Sequence, residues 1–232
     1  MKYNVKQQIL DLFNETPSFN NFIVINNNQI VIDALLDTSI PFIHIFGTKY
    51  NGKTHLLKSW VHNINYNTPQ HAIYINSKQC INNNIDFVNL LDSYQYIAVD
   101  DVNLLSDDAQ INLFNLFNMI KLNNLNNKLL SSSALHFDNI TNMRHDLRTR
   151  LLSGLNLSLK SPNDSEILHI LQTYVTQAGI GFSDALLQYL ITHHIRNIGV
   201  LISIINKIAE NAVIENRSIT LSLVKKYVDV EL

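Results

Sequence analysis

Short, nearly continuous apolar runs recur through the first two-thirds of the chain, separated by stretches with helical spacing. Residues 41–46 (Pro-Phe-Ile-His-Ile-Phe) read as a buried strand, followed across a glycine loop by a helix from about Lys53. Residues 71–75 form a second strand, residues 96–99 a third closed by Asp100 and Asp101, residues 128–131 a fourth and residues 156–159 a fifth. Strands that are apolar on both faces must be covered on both sides. The alternation therefore predicts an α/β fold in which a parallel five-stranded sheet lies between helices.

Beyond Ser161 and Pro162 the period changes and only helices are expected. Asn163, with Glu166 three positions later, offers a reciprocal capping pair, and Gly179 stands where that helix should stop. Helical periodicity returns at residues 183–193, 197–215 and 220–230, which predicts a small all-helical subdomain. The expected organisation is a tail at 1–16, an α/β core at 17–161 and the helical subdomain at 162–232.

Composition narrows the class. Hydrophobic residues make up 46% and charged residues 16%, enough apolar side chain for a sizeable core in a soluble protein. A net charge of −2 and a pI near 6.5 argue against holding nucleic acid by bulk electrostatics, so no direct sequence-specific DNA binding is expected. Cys80 is the one cysteine, which excludes an intramolecular disulfide and favours a cytoplasmic setting. The amino terminus lacks the apolar core of a signal peptide. Every apolar run falls far short of the ~20 residues of a membrane span, so no membrane association is expected. Asparagine runs at 26–28 and 82–84 read as exposed loops.

The strongest chemical signal is residues 47–54, Gly-Thr-Lys-Tyr-Asn-Gly-Lys-Thr, a complete G-x-x-x-x-G-K-[ST] loop between a strand and a helix. Backbone amides of such a loop wrap phosphate oxygens, and the helix amino terminus favours their negative charge. Gly47, Thr48, Asn51, Gly52, Lys53 and Thr54 are the expected nucleotide contacts. Lys53 would reach the terminal phosphates and Thr54 would ligate Mg²⁺. Asp100 and Asp101 end an apolar strand about fifty residues later, where the first acid of a P-loop protein holds Mg²⁺ and the second orients the attacking water. His193 and His194 lack ligand partners at metal spacing and read as a surface helix end, and His55 reads as a packing residue. Arg148 and Arg150 lie between the fourth and fifth strands; two close arginines are commonly solvent-facing, and in oligomeric ATPases such a segment can project one at a neighbour's γ-phosphate, with Arg148 expected to be the surface-facing member of this pair.

Together these segments resemble the AAA+ ATPase core of the DnaA family of replication initiators, and more closely its shortened Hda members. The resemblance runs from residues 18–22 and 33–35 through the loop continued by His55, Leu56 and Leu57. Val99-Asp100-Asp101 resembles the Walker B strand, and residues 129–133 the sensor 1 strand, with Ser133 at its acidic position. Residues 146–151 resemble the box that carries the arginine finger, which falls on Arg150. Residues 196–201 resemble the sensor 2 helix of the lid, with Gly199 where the phosphate-touching arginine would stand and Arg196 as a candidate substitute. The chain ends at Leu232, so the family's helix-turn-helix DNA-binding domain is expected to be absent.

The resemblance implies bound ADP or ATP with Mg²⁺, and two partners: the DnaA initiator and the DNA polymerase III β sliding clamp. Gln8, Ile9, Leu12 and Phe13 are similar to the peptides that dock on that clamp, although the same residues also suit the first turn of an amphipathic helix. The function implied is stimulation of ATP hydrolysis on the initiator by Arg150 acting in trans, with Asp101 as a second catalytic residue. A homodimer, intrinsic hydrolysis by the intact loop, a DnaC-type helicase loader and an independent P-loop ATPase stay open at this point.

Overall fold

The computed structural model describes residues 16–228 except 26, 27, 84, 124 and 195. The described chain forms two compact units, 16–161 and 162–228.

The first unit is built on five parallel strands: β1 (Phe42–Phe46), β2 (Ala72–Asn76), β3 (Tyr96–Asp100), β4 (Lys128–Ser133) and β5 (Leu155–Ser158). Their order across the sheet is β2-β3-β4-β1-β5. Every neighbouring pair is parallel, so each connection must cross over the sheet. The crossovers carry α2 (Lys53–Asn67), α3 (Ser77–Asn83), α4 (Asp107–Leu122) and α5 (His145–Leu152), while α1 (Gln29–Leu36) precedes β1. The strands stand within two residues of the predicted apolar runs. β4 runs furthest beyond its prediction, through Ser132 and Ser133, because neighbouring polar groups satisfy those buried hydroxyls.

Alternation sends successive strand residues to two separate cores. Tyr96 and Ala98 of β3 and Leu130 of β4 pack with Val31 and Leu35 of α1 and with Leu56, Leu57, Trp60 and Ile64 of α2. Ile97, Val99 and Leu129 face the other way, onto Leu113, Leu116, Phe117 and Ile120 of α4 and Leu147 and Leu151 of α5. The spacing of these helical residues by three and four places them on one face of each helix, which is why the sequence forms amphipathic helices there. The Trp60 indole donates to the Leu35 carbonyl at 3.0 Å, tying α2 to α1. Ser106 caps α4 by accepting from the Ala109 amide, and Asp107 and Asp108 follow in the first turn, where acidic charge suits the helix dipole.

The second unit contains α6 (Asp164–Gln177), α7 (Asp184–His193), α8 (Ile198–Ile214) and α9 (Leu221–Val228). The predicted capping pair forms: Asn163 Oδ1 accepts from the Glu166 amide at 2.9 Å, and Glu166 Oε2 accepts from the Asn163 amide at 2.8 Å. The helix stops two residues before Gly179. Ile167, Leu171, Leu187, Leu190, Ile204 and Ile208 form the centre of a core belonging to this unit alone.

Candidate functional site

The loop at 47–52 joins the carboxyl end of β1 to the amino end of α2. Gly47 admits a close approach that no larger residue allows: a Cβ there would stand 2.2 Å from Asn51 Nδ2 and 2.4 Å from the Leu159 carbonyl oxygen. Gly52, at φ 96°, takes the left-handed conformation that glycine adopts without penalty, and a Cβ on it would stand 2.8 Å from the Phe22 ring. As the N-cap of α2 it brings no side-chain acceptor to the first-turn amides, so that helix end can accept an anion. Tyr50 at the loop tip also has positive φ, 69°, and is exposed.

Lys53 is folded into its own loop. Its Nζ donates to the carbonyls of Gly47 at 2.7 Å and Thr48 at 2.8 Å, and to Asn51 Oδ1 at 3.3 Å. Burial pulls the Lys53 pKa below the ordinary lysine value, while Asp101 and Asp100 draw it back up. Asn51 spends its amide on the Leu159 carbonyl at 2.7 Å, shaping the loop, and the Thr48 hydroxyl pairs with that of Ser161.

Asp100 is almost wholly buried at the end of β3 and accepts from four donors. Oδ2 accepts from the Thr54 hydroxyl at 2.7 Å and the Tyr74 hydroxyl at 2.8 Å. Oδ1 accepts from the Ser132 hydroxyl and from the Asp101 amide at 3.2 Å. The Asp101 amide is shared with Ser132 Oγ at 3.0 Å, and Asp101 itself is held at φ 53°. Burial, followed by the neighbouring Asp100 charge, raises the Asp101 pKa; Lys53 and Lys49 oppose the rise. Thr54 and Asp100 thus form a compact pair of oxygen groups beside the loop, a donor set whose chemistry fits a hard divalent cation.

Behind this pair, β4 presents alternate serines to the opposite face. His44 of β1, buried among them, pairs with Ser131 Oγ through Nδ1 at 2.8 Å and with Ser133 Oγ through Nε2 at 3.0 Å. Ser133, at the position resembling sensor 1, is committed to this internal network and also donates to the Leu135 carbonyl.

Arg148 departs from the surface-facing placement that the sequence suggests: it is half-buried, and its Nη2 donates to the Ile140 carbonyl while Nε is buried. The turn at residues 137–140 packs under the start of α5, and the fourth residue of that helix points back toward it. Arg150, two residues later and also half-buried, lies with its guanidinium 5.7 Å from the Phe114 ring centroid of α4.

In the helical unit, Arg196 is exposed and bonds to Asp164 Oδ2 at 2.9 Å, and Gly199 is exposed in the first turn of α8. His55 lies tilted against the Phe22 ring and bonds to the Ser18 carbonyl, a packing role. Among the described residues no cluster of His, Cys, Asp or Glu could hold a metal by itself. Gln8, Ile9, Leu12 and Phe13 lie outside the described residues. Tyr74, Ser132 and His44 were not anticipated, yet each left a trace: a polar residue inside an apolar strand must find a partner.

A parallel sheet of this order, with a phosphate loop after its first strand and an acidic pair ending a neighbouring strand, defines a P-loop protein of the AAA+ class. Residues 13–158 match the bacterial DnaA ATPase domain and residues 164–228 match the lid domain of Hda; the chain belongs to the bacterial DnaA ATPase family. It is 28% identical over 212 residues to an uncharacterised protein of Haemophilus influenzae, covering 88% of this chain and 90% of that one. It is 26% identical over 243 residues to the chromosomal replication initiator protein DnaA of Buchnera aphidicola, covering 97% of this chain but 55% of that protein, so it spans just over half of that relative.

Among solved structures, domain III of Thermotoga maritima DnaA superposes with a TM-score of 0.80 at 19% identity, covering 92% of this chain and 95% of that one. AMPPCP-bound DnaA from Aquifex aeolicus gives 0.70 at 21%, covering 84% and 66%. The Thermotoga maritima RuvB branch-migration motor gives 0.72 at 14%, covering 94% and 73%. At these identities the likeness is one of fold.

Proposed function

We propose that this chain is an Hda-like regulator of replication initiation. It binds an adenine nucleotide, docks on the DNA-loaded sliding clamp through Gln8, Ile9, Leu12 and Phe13, and presents Arg150 to ATP held by the DnaA initiator. Hydrolysis of that ATP then prevents a second initiation. The observation that carries the reading is the joining of a DnaA ATPase domain to an Hda lid in one chain.

The site residues take roles that fit their geometry. Gly47, Thr48, Asn51 and Gly52 shape a loop whose amides and helix end accept phosphate oxygens. Lys53, already buried in the loop, exchanges carbonyl acceptors for phosphate oxygens with little rearrangement of its stem. Thr54 and Asp100 would hold Mg²⁺, which would supply neutralising charge to the phosphates. Asp101, whose pKa is raised by burial and by the Asp100 charge, lies beside them to orient water. A guanidinium suits the trans role of Arg150 because it stays charged and offers several donors to spreading phosphoryl charge. Such a role places the protein in the cytoplasm. Among the described residues no helix is long and apolar enough to cross a membrane.

The intact loop supports a second reading, an independent P-loop ATPase, which predicts substantial turnover by the isolated chain. A DnaC-type helicase loader would instead capture the replicative helicase. The deciding experiment measures hydrolysis of initiator-bound ATP with clamp-loaded DNA, with and without this protein. Stimulation that requires all three components supports the regulator; no stimulation rejects it.

A further inference from the structure

Tyr74 of β2 sits on the same face of the sheet as Asp100, and its hydroxyl reaches the oxygen that Thr54 also uses. A carboxylate offers about four acceptor sites, two on each oxygen. In Asp100 all four are engaged: Ser132 and the Asp101 amide on Oδ1, Thr54 and Tyr74 on Oδ2. A metal ion, or a water bound to it, can use Asp100 only where a donor gives way. The donors differ in how readily they can leave. Ser132 lies in the buried end of β4, and the Asp101 amide belongs to the backbone. Thr54 is itself the expected metal ligand, and its hydroxyl can keep its proton on Asp100 while its lone pairs face a cation. Tyr74 has no such second use.

The ring is held for this task. Tyr74 is half-buried against the α1/α2 core, and the Lys58 ammonium of α2 lies 5.3 Å from its ring centroid. The phenol hydroxyl aims its one proton at Asp100 Oδ2 at 2.8 Å.

We infer that Tyr74 is a built-in competitor for the metal at Asp100: its hydroxyl satisfies the carboxylate in the metal-free state and is displaced when Mg²⁺ engages the site. The effect is to weaken metal binding, so that nucleotide is held mainly by the loop and Lys53 and less by the cation. This inference rests on the nucleotide-site reading above and deepens it.

The test is Tyr74→Phe, which keeps the ring beside Lys58 and removes only the hydroxyl. ADP and ATP affinities are measured by calorimetry on the full chain, once in excess EDTA and once in saturating Mg²⁺. The ratio of the two affinities is the readout. Loss of a hydrogen bond to a buried carboxylate made only in the metal-free state should raise that ratio about three- to tenfold, with the EDTA affinity nearly unchanged. On an Asp100→Asn background the same substitution should leave the ratio alone, because the competed charge is gone.

A lower ratio would mean that Tyr74 positions Asp100 for the metal, and an unchanged ratio that the bond is indifferent to it; either result overturns the inference. So does an equal rise on the Asp100→Asn background. Wild-type protein that binds neither nucleotide under either condition removes the nucleotide reading, and the inference with it. Nucleotide binding that is lost in Lys53→Ala, together with an unmoved ratio in Tyr74→Phe, leaves the reading standing and the inference refuted.

Discussion

His44 of β1 donates from Nε2 to the Ser133 hydroxyl of β4 at 3.0 Å, and the donation fixes the tautomer. Ser133 spends its own proton on the Leu135 carbonyl, so its oxygen must accept from the ring; Nδ1 is then free to accept from Ser131. The imidazole is neutral, and both its nitrogens are satisfied inside the sheet.

Burial, with the nearby His136 adding to it, pulls the His44 pKa down to about 3 from 6.5. A base whose folded pKa is depressed lends the unfolded chain extra proton affinity once the pH drops below 6.5. Stability is thus fully kept above pH 6.5 and falls between there and pH 3, by up to about 1.4 kcal/mol per pH unit from this group alone. Urea denaturation of wild type and His44→Gln at pH 7.5, 6 and 5 should show a steeper acid loss in the wild type. Parallel pH profiles would contradict the buried neutral ring.

Arg148 is a structural residue. Its bond to the Ile140 carbonyl joins α5 to the preceding turn, and a charged hydrogen bond of this kind contributes roughly 1.5–3 kcal/mol. Arg148→Ala should lower the melting temperature by several degrees, whereas Arg150→Ala, which gives up mainly a ring contact, should lower it less. Thermal melts of the two variants side by side check the ordering.

The sheet, its strands and the phosphate loop were legible in the sequence because their signals are local. Residues 41–46 and 96–99 are apolar on both faces, and the loop motif contains all its chemistry within eight consecutive positions. What was not legible depends on pairing between distant segments. Tyr74 meets Asp100 only because β2 lies beside β3 in register, and His44 meets Ser131 and Ser133 only because β4 pairs with β1. The exposure of Arg148 was misread for the same reason: the turn that covers it is contiguous in space, and nothing in the spacing of residues 146–151 reports it.

Replacing Lys53 by alanine should weaken adenine-nucleotide binding about 10- to 150-fold, the equivalent of a charge-assisted contact of roughly 1.5–3 kcal/mol. ADP is expected to bind at least as well as ATP, because the family resemblance implies that Gly199 replaces the arginine of the sensor 2 helix. Calorimetry with both nucleotides on wild type and variant reads this out; equal affinities for the two proteins would place the nucleotide elsewhere.

Leu12 and Phe13 are the proposed apolar anchors of the clamp peptide, each worth roughly 1.5–3 kcal/mol when buried in a groove. Leu12→Ala with Phe13→Ala should nearly abolish capture by the β clamp in a surface-binding assay and leave nucleotide affinity unchanged. Normal capture by the double variant would move the docking site to another part of the chain.

The most direct test of the account is hydrolysis of initiator-bound ATP, measured with clamp-loaded DNA and Arg150→Ala in place of the wild-type protein. Arginine fingers in GTPase systems raise rates by ~10³–10⁵, and a smaller loss is expected here because docking of the partner also limits the rate. Arg150→Ala should remain folded, bind nucleotide and clamp normally, and fail to stimulate the initiator; Arg148→Lys, which keeps a charged donor for the Ile140 carbonyl, should stimulate. Full stimulation by Arg150→Ala would contradict the account, and loss of stimulation in Arg148→Lys alone would mean that the finger is Arg148.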